Sequence, residues 1–306
     1  MVRPIEVVKY LINLIRKRIT LYLYRLFDIK FKKDRIVTDL KKMSLKEGDV
    51  VFVHSSLSKI GYVEGGPSII IDALIEIVGP SGTIVMPAFT INRSMKQTLD
   101  SEFLFNPKSS KVTVGLIPET FRKKQGVYRS LHPTHSVSAY GKLAKWITDG
   151  HEVCKTTFGI DTPFHKFLQV NGKILGIGID LGPVTFYHVI EDIEKNFPIK
   201  VYNKKAHQIK LLNYEGKAIT MKIKSHRHNI AKTRIDHEEN LWIRNFLTRY
   251  LREKKMIREE LIGKAHSWII PARDLYEAQQ ELLLKEVTIY TTKEEYLLKK
   301  KENSDD

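Results

Sequence analysis

Apolar and polar positions follow two rhythms along this chain, and the change between them marks its organisation. Val8, Leu11, Ile12, Ile15, Ile19, Tyr22, Leu23 and Leu26 recur at helical spacing beside Lys9, Arg16, Lys17, Arg18 and Arg25. This predicts a basic amphipathic helix within an N-terminal extension spanning residues 1–33. Such a helix either packs on the body or on a second subunit, or lies on an anionic membrane surface. From about residue 35 the pattern becomes α/β. Ile36–Met43 reads as a short helix, and Val50–Val53 is apolar without interruption, as in a strand buried on both faces. Pro67 suits the first turn of a helix that carries Ile70, Ile71, Leu74, Ile77 and Val78. That helix ends at Gly79-Pro80-Ser81-Gly82, and Thr83–Met86 forms the next buried strand. Strand, helix and strand in this order make the crossover unit of a parallel sheet.

The later pattern is more mixed. Polar residues between Ile91 and Lys111 predict a loop, and Leu116–Lys123 a helix. Lys173–Gly178 reads as a buried strand leading to a helix over Thr185–Phe197. Residues 199–224 alternate in the antiparallel manner about a turn at Asn213-Tyr214-Glu215-Gly216. Leu241–Lys255 and Leu275–Leu284 read as helices, residues 34–292 as one α/β domain, and residues 293–306 as a charged tail, disordered from Lys299.

Composition narrows the class. The 306 residues are 42% hydrophobic and 28% charged, enough for a substantial core. Cys154 is the single cysteine, so neither an internal disulfide nor a cysteine-based zinc site is available. No signal peptide or membrane-length apolar run is apparent, and the expected setting is cytoplasmic or peripheral at the inner membrane surface. Charge changes the picture most. The chain has 51 Lys and Arg against 35 acidic residues, a net +16, and residues 1–42 alone hold 12 basic and four acidic side chains. Such a field favours anionic partners: nucleic acid, anionic lipid or a phosphorylated small molecule. No nucleic-acid-binding motif or interleaved aromatic platform supports the first, so nucleic acid is not expected as a partner.

Chemistry concentrates in one segment. Arg129-Ser130-Leu131-His132-Pro133-Thr134-His135-Ser136 gathers a guanidinium, two imidazoles and several hydroxyls around a proline. A group so polar is costly to bury without purpose and reads as a site. His188 and Glu191 stand one helical turn apart, which lets the carboxylate orient the imidazole for proton transfer. His54-Ser55-Ser56-Leu57 follows a buried strand, where free N–H groups and hydroxyls suit an anion or merely cap a helix. His226-Arg227-His228 and Asp236-His237-Glu238-Glu239 match no metal-binding spacing and read as a polar loop, so no metal is expected.

Together, Val53–Leu57, Glu64-Gly65-Gly66, Arg129–Ser136 and Thr185-Phe186-Tyr187-His188 resemble the aminoglycoside 3-N-acetyltransferase family. The similarity extends in order from about Asp34 to Thr291 and takes in Thr83–Pro87 and Thr162-Pro163-Phe164. The resemblance implies a three-layer α/β/α fold with a mainly parallel central sheet and an inserted antiparallel region. It implies acetyl-CoA as the acyl donor and direct attack by an amine, with His188 as general base, Glu191 as its orienting carboxylate and His135 near the thioester. Ser55, Ser56, Leu57, Arg129, Ser130, His132, Pro133 and Ser136 would hold the donor, and Glu64, Arg227, His228 and Asp236 the acceptor. Because the chain is so basic, the acceptor expected is an amino sugar linked to phosphate through a nucleotide or lipid, as in surface polysaccharide synthesis. The alternative is an aminoglycoside, with antibiotic resistance as the outcome. A non-catalytic binder of membrane or nucleic acid is the competing class, and a homo-oligomer is compatible with either.

Overall fold

The computed structural model describes residues 30–91, 94–101 and 103–302, with eight further positions between residues 12 and 23. The predicted N-terminal helix falls largely outside the described residues. Those of its apolar positions that are described, Ile12, Leu14, Ile15, Ile19, Tyr22 and Leu23, are exposed.

A seven-stranded sheet organises the chain. At its centre are β1 (Val50–Ser55), β2 (Thr83–Pro87) and β5 (Lys173–Ile177). β1 pairs in parallel with both neighbours, placing Val51 opposite Ile84 on one side and Lys173 on the other. Between β1 and β2 runs α3 (Pro67–Val78), which follows a single short turn, α2 (Leu57–Ile60). Its apolar residues fall on one stripe, and Gly79 ends it at a φ of +62°, a backbone setting that favours glycine. This is the crossover that the sequence pattern predicts.

The margins of the sheet are antiparallel. On one side β4 (Val137–Gly141) pairs with β2, and β3 (Tyr128–Arg129) pairs with β4. On the other, β9 (Ala265–Pro271) pairs with β5 and β8 (Arg258–Ile262) with β9. The sheet is therefore mixed, with a parallel centre. A glycine makes one junction possible. A side-chain carbon at Gly176 in β5 would lie 2.2 Å from the ring of Trp268, its partner on β9.

Strand alternation divides the interior into two layers. Val51, Val53, Ile84, Met86, Leu175 and Ile177 face α1 (Lys33–Lys42), α3 and α5 (Leu116–Phe121). Phe52, Val85, Ile174 and Ile270 face the other way. There they meet α6 (Ala144–Thr148), α7 (Pro163–Gln169), α8 (His188–Ile193), α9 (Leu241–Glu253) and α10 (Ala272–Leu283). Helices cover both faces, giving the three-layer α/β/α architecture. A separate hairpin of β6 (His207–Leu212) and β7 (Ala218–Ile223) supplies the inserted antiparallel region. It closes a small third core with Met95 and Leu99 of α4 (Met95–Leu99).

Three local expectations change. α4 interrupts the predicted loop, capped reciprocally by Ser94 and Gln97. The helix expected over Thr185–Phe197 is a 3-10 turn at Thr185–Tyr187 followed by only six α-helical residues. The charged tail is helical through α11 (Lys293–Glu302), because Tyr296 packs on Trp242 and Phe246 and Lys299 pairs with Glu286. No helix among the described residues is long and apolar enough to cross a membrane.

Candidate active site

The carboxyl ends of β1, β2 and β5 lie along one edge of the layered domain, where open α/β sheets carry their ligands. Antiparallel pairing of Pro87 with Val137 brings the start of β4 to this edge, so residues 130–136 cross it. They continue the sheet: Ala88 N–H donates to the Ser136 carbonyl at 2.8 Å, and Thr90 N–H to that of Thr134 at 3.3 Å.

Within this segment, most of the polar side chains turn inward. Arg129 is only 3% exposed. Its guanidinium donates to the carbonyls of Ala88 (2.6 Å), Ser110 (2.5 Å) and Pro107 (3.4 Å) and to Ser136 Oγ (3.1 Å), above the Phe105 ring. Burial brings its pKa down to about 10, so it stays charged at neutral pH. The Ser136 hydroxyl donates to the Ala88 carbonyl. Ser130 bridges His151 and the Val137 N–H, and Nδ1 of His132 accepts from the N–H groups of Thr134 and His135. The Pro133 carbonyl accepts from Thr90 Oγ1. Arg129, Ser130, His132, Pro133 and Ser136 thus tie the strand ends together. Their hydrogen-bonding groups are engaged inside the protein, apart from His132 Nε2, which is buried without a partner.

His135 differs from its neighbours and lines a cavity of about 650 Å³ together with His188 and His226. His188 opens α8, and its Nδ1 lies 2.9 Å from Oε1 of Glu191. The His188 side chain is 12% exposed and that of Glu191 not at all. The Phe158 ring lies 4.9 Å from that of His188, tilted by 30°, and His226 approaches the same imidazole edge-on at 4.9 Å. Asp192 anchors this wall by accepting from Phe158 N–H (2.9 Å) and from the Tyr202 hydroxyl (2.8 Å). Burial raises its carboxyl pKa to about 6. Burial also drives His135 and His226 well below the usual histidine range, and the nearby His188 pushes in the same direction. Both are therefore neutral at physiological pH.

His226 is the residue that sequence spacing missed. It lies 35 residues beyond Glu191, and no local pattern links the two. Ligand atoms of His188, Glu191 and His226 lie within 4.8 Å of one another, close enough to share a metal ion. In the structure, the His188–Glu191 bond already occupies two of the three groups.

The remaining predicted residues separate. Arg227, His228 and Asp236 line the cavity, joined by Lys96 and Arg234. Arg234 holds Asp236 in a two-pronged ion pair at 2.5 and 2.7 Å. Burial opposes the charge on Asp236, yet this guanidinium keeps its pKa below the carboxylate norm. Glu64 is not part of this wall. It pairs with Lys30 at 3.1 Å beside the start of α3. Ser55, Ser56 and Leu57 stand at the end of β1 and outside the cavity lining. The Ser55 hydroxyl is buried without a partner, that of Ser56 faces Ser58, and Leu57 packs on the core.

Known proteins share both sequence and fold with this chain. Aminoglycoside N(3)-acetyltransferase IX of Micromonospora chalcea is 33% identical over 172 residues, which cover 52% of this chain and 61% of that one. The chain spans about three-fifths of the length of the curated relatives it matches. The crystal structure of aminoglycoside acetyltransferase AAC(3)-Xa superposes with a TM-score of 0.72 at 25% identity, over 86% of this chain and 95% of that one. AAC-VIa bound to sisomicin superposes at 0.71 with 27% identity, over 83% and 97%. Residues 52–284 match the aminoglycoside 3-N-acetyltransferase family as a whole. The match spans most of the chain and includes most of β1, the Arg129–Ser136 segment and the His188–Glu191 pair, so the protein belongs to the aminoglycoside 3-N-acetyltransferase family.

Proposed function

We propose that this protein transfers the acetyl group of acetyl-CoA to an amine of an amino-sugar acceptor, with His188 as general base. The observation that carries this reading is the His188 imidazole, held at 2.9 Å by a fully buried carboxylate in the wall of a cavity of about 650 Å³. Glu191 fixes the ring through Nδ1 and leaves Nε2 to take the proton. The acceptor nitrogen attacks the thioester carbonyl, a C–N bond forms and the C–S bond breaks. His188 takes the amine proton and returns it to the departing sulfur, releasing coenzyme A as the thiol. Ser55, whose hydroxyl is buried without a partner at the end of β1, is proposed with Ser56 and Leu57 to border the donor path.

Family membership favours an aminoglycoside as acceptor. The cavity lining favours a second reading, an amino sugar carried on phosphate. Arg227 and Arg234, with Lys96 held by Asp100, line the wall beside a single carboxylate, Asp236, which Arg234 already neutralises. That wall offers little to a polyamine and attracts an anion. The test is release of the coenzyme A thiol with sisomicin and with a UDP-linked amino sugar, in wild type and His188→Ala. Turnover of either acceptor that the variant abolishes supports the enzyme reading. Preference for the nucleotide sugar, weakened in Arg227→Ala, supports the second acceptor class. Efficient turnover of sisomicin alone rejects that class, and turnover that survives in His188→Ala rejects the assigned base.

A further inference from the structure

We propose that the outer face of the β6–β7 hairpin seats this protein on an anionic phospholipid surface. Between Lys200 and Arg227 the chain carries eight basic side chains and one acidic one, Glu215. Pairing sorts them by face. Ile209 and Leu211 of β6, with Met221 and Ile223 of β7, point into the small third core. The alternate positions Gln208, Lys210, Thr220 and Lys222 point outward, Gln208 opposite Lys222 and Lys210 opposite Thr220. Lys204, Lys217 and Lys224 extend the exposed set. Among the described residues, none of Lys204, Lys210, Lys217, Lys222 and Lys224 forms an ion pair with a carboxylate. Lysines brought together on a sheet repel one another, so a face of this kind is best satisfied by an external anion.

The chemistry of the face selects among anionic partners. Its outward positions carry no arginine fork for bidentate phosphate recognition and no aromatic ring for stacking on a base. Lysines act as mobile point charges and suit a fluid surface whose headgroups rearrange around them. A second observation points the same way. Ile12, Ile15, Ile19 and Tyr22, in the basic N-terminal segment, are each more than half exposed, and such side chains favour a bilayer over a nucleic acid. β7 also leads directly into His226, Arg227 and His228 in the cavity wall, so a membrane held against the hairpin lies close in sequence to the acceptor site. This inference is independent of which acceptor is used.

The test is sedimentation of the full chain with vesicles of phosphatidylcholine alone, or of phosphatidylcholine and phosphatidylglycerol in equal parts, at low and high salt. The wild type should bind only the anionic vesicles and be released by salt. The triple variant Lys210→Glu, Lys222→Glu, Lys224→Glu should bind about a hundredfold more weakly while keeping its circular dichroism. Equal binding to neutral vesicles overturns the proposal, as does anionic binding that the triple variant leaves unchanged. Binding lost only in Arg16→Glu, Arg18→Glu would place the contact in the N-terminal segment instead. Salt-sensitive binding to duplex DNA that the triple variant abolishes, with no vesicle binding, would make the face a nucleic-acid surface.

Discussion

Glu191 meets His188 across a single 2.9 Å contact between Oε1 and Nδ1, and its side chain is wholly removed from solvent while the imidazole keeps a window to the cavity. A carboxylate so placed orients the ring beside it through Nδ1. Replacing Glu191 with Gln should reduce kcat at least tenfold with little change in KM for acetyl-CoA. His188→Ala should cost on the order of a hundredfold or more. Steady-state kinetics of both variants provide the check. A rise in KM with unchanged kcat would instead place the pair in donor binding.

Arg129 makes a different prediction from the one its sequence context suggests. Its guanidinium serves four internal acceptors, so Arg129→Ala removes a buried donor from the Ala88 carbonyl and from those of Pro107 and Ser110 in a second segment. The expected loss is about 3 kcal/mol or more in unfolding free energy. Urea denaturation measures it. Wild-type stability combined with weakened acetyl-CoA binding would restore a direct role in holding the donor.

Asp192 accepts from the Phe158 N–H, and Phe158 lays its ring against His188, so Asp192 is expected to position the proposed base. Asp192→Ala should lower kcat roughly tenfold, in keeping with the sensitivity of catalysis to small misplacements. Asp192→Asn still offers an oxygen to Phe158 and should recover most of that loss. Identical behaviour of the two variants would argue against a positioning role.

Buried neutral histidines set the acid limit of the fold. Burial lowers His54 and His151 to about 4 in the native state, against about 6.5 for an unfolded chain. The unfolded state then binds more protons between these values. Stability is fully present above about pH 6.5 and is lost as the pH falls toward 4. Each residue should account for about 2 kcal/mol of the loss between pH 7.5 and pH 5. His54→Asn should flatten the curve by that amount in urea titrations at the two pH values. An unchanged pH slope would show that His54 does not titrate on unfolding.

Some of the site was legible before any fold was known. The β1–α3–β2 crossover follows from uninterrupted apolar runs bracketing an amphipathic stripe, and both signals are local. His188 and Glu191 are three residues apart on one helix, so their contact follows from helical geometry alone. The Arg129–Ser136 cluster is equally visible as a concentration of polar groups. Which of its members face a ligand is not, because that depends on carbonyls at Ala88, Pro107 and Ser110 supplied from elsewhere in the chain.

Local periodicity therefore determined the parallel centre of the sheet, the amphipathic helices and the His188–Glu191 pair, since each arises from residues within a few positions of one another. Only tertiary structure decided the antiparallel margins, the turning inward of Arg129, Ser130, His132 and Ser136, and the arrival of His226 beside His188. Those outcomes depend on strand pairing and burial between segments far apart in sequence, and a short window of residues carries no record of either.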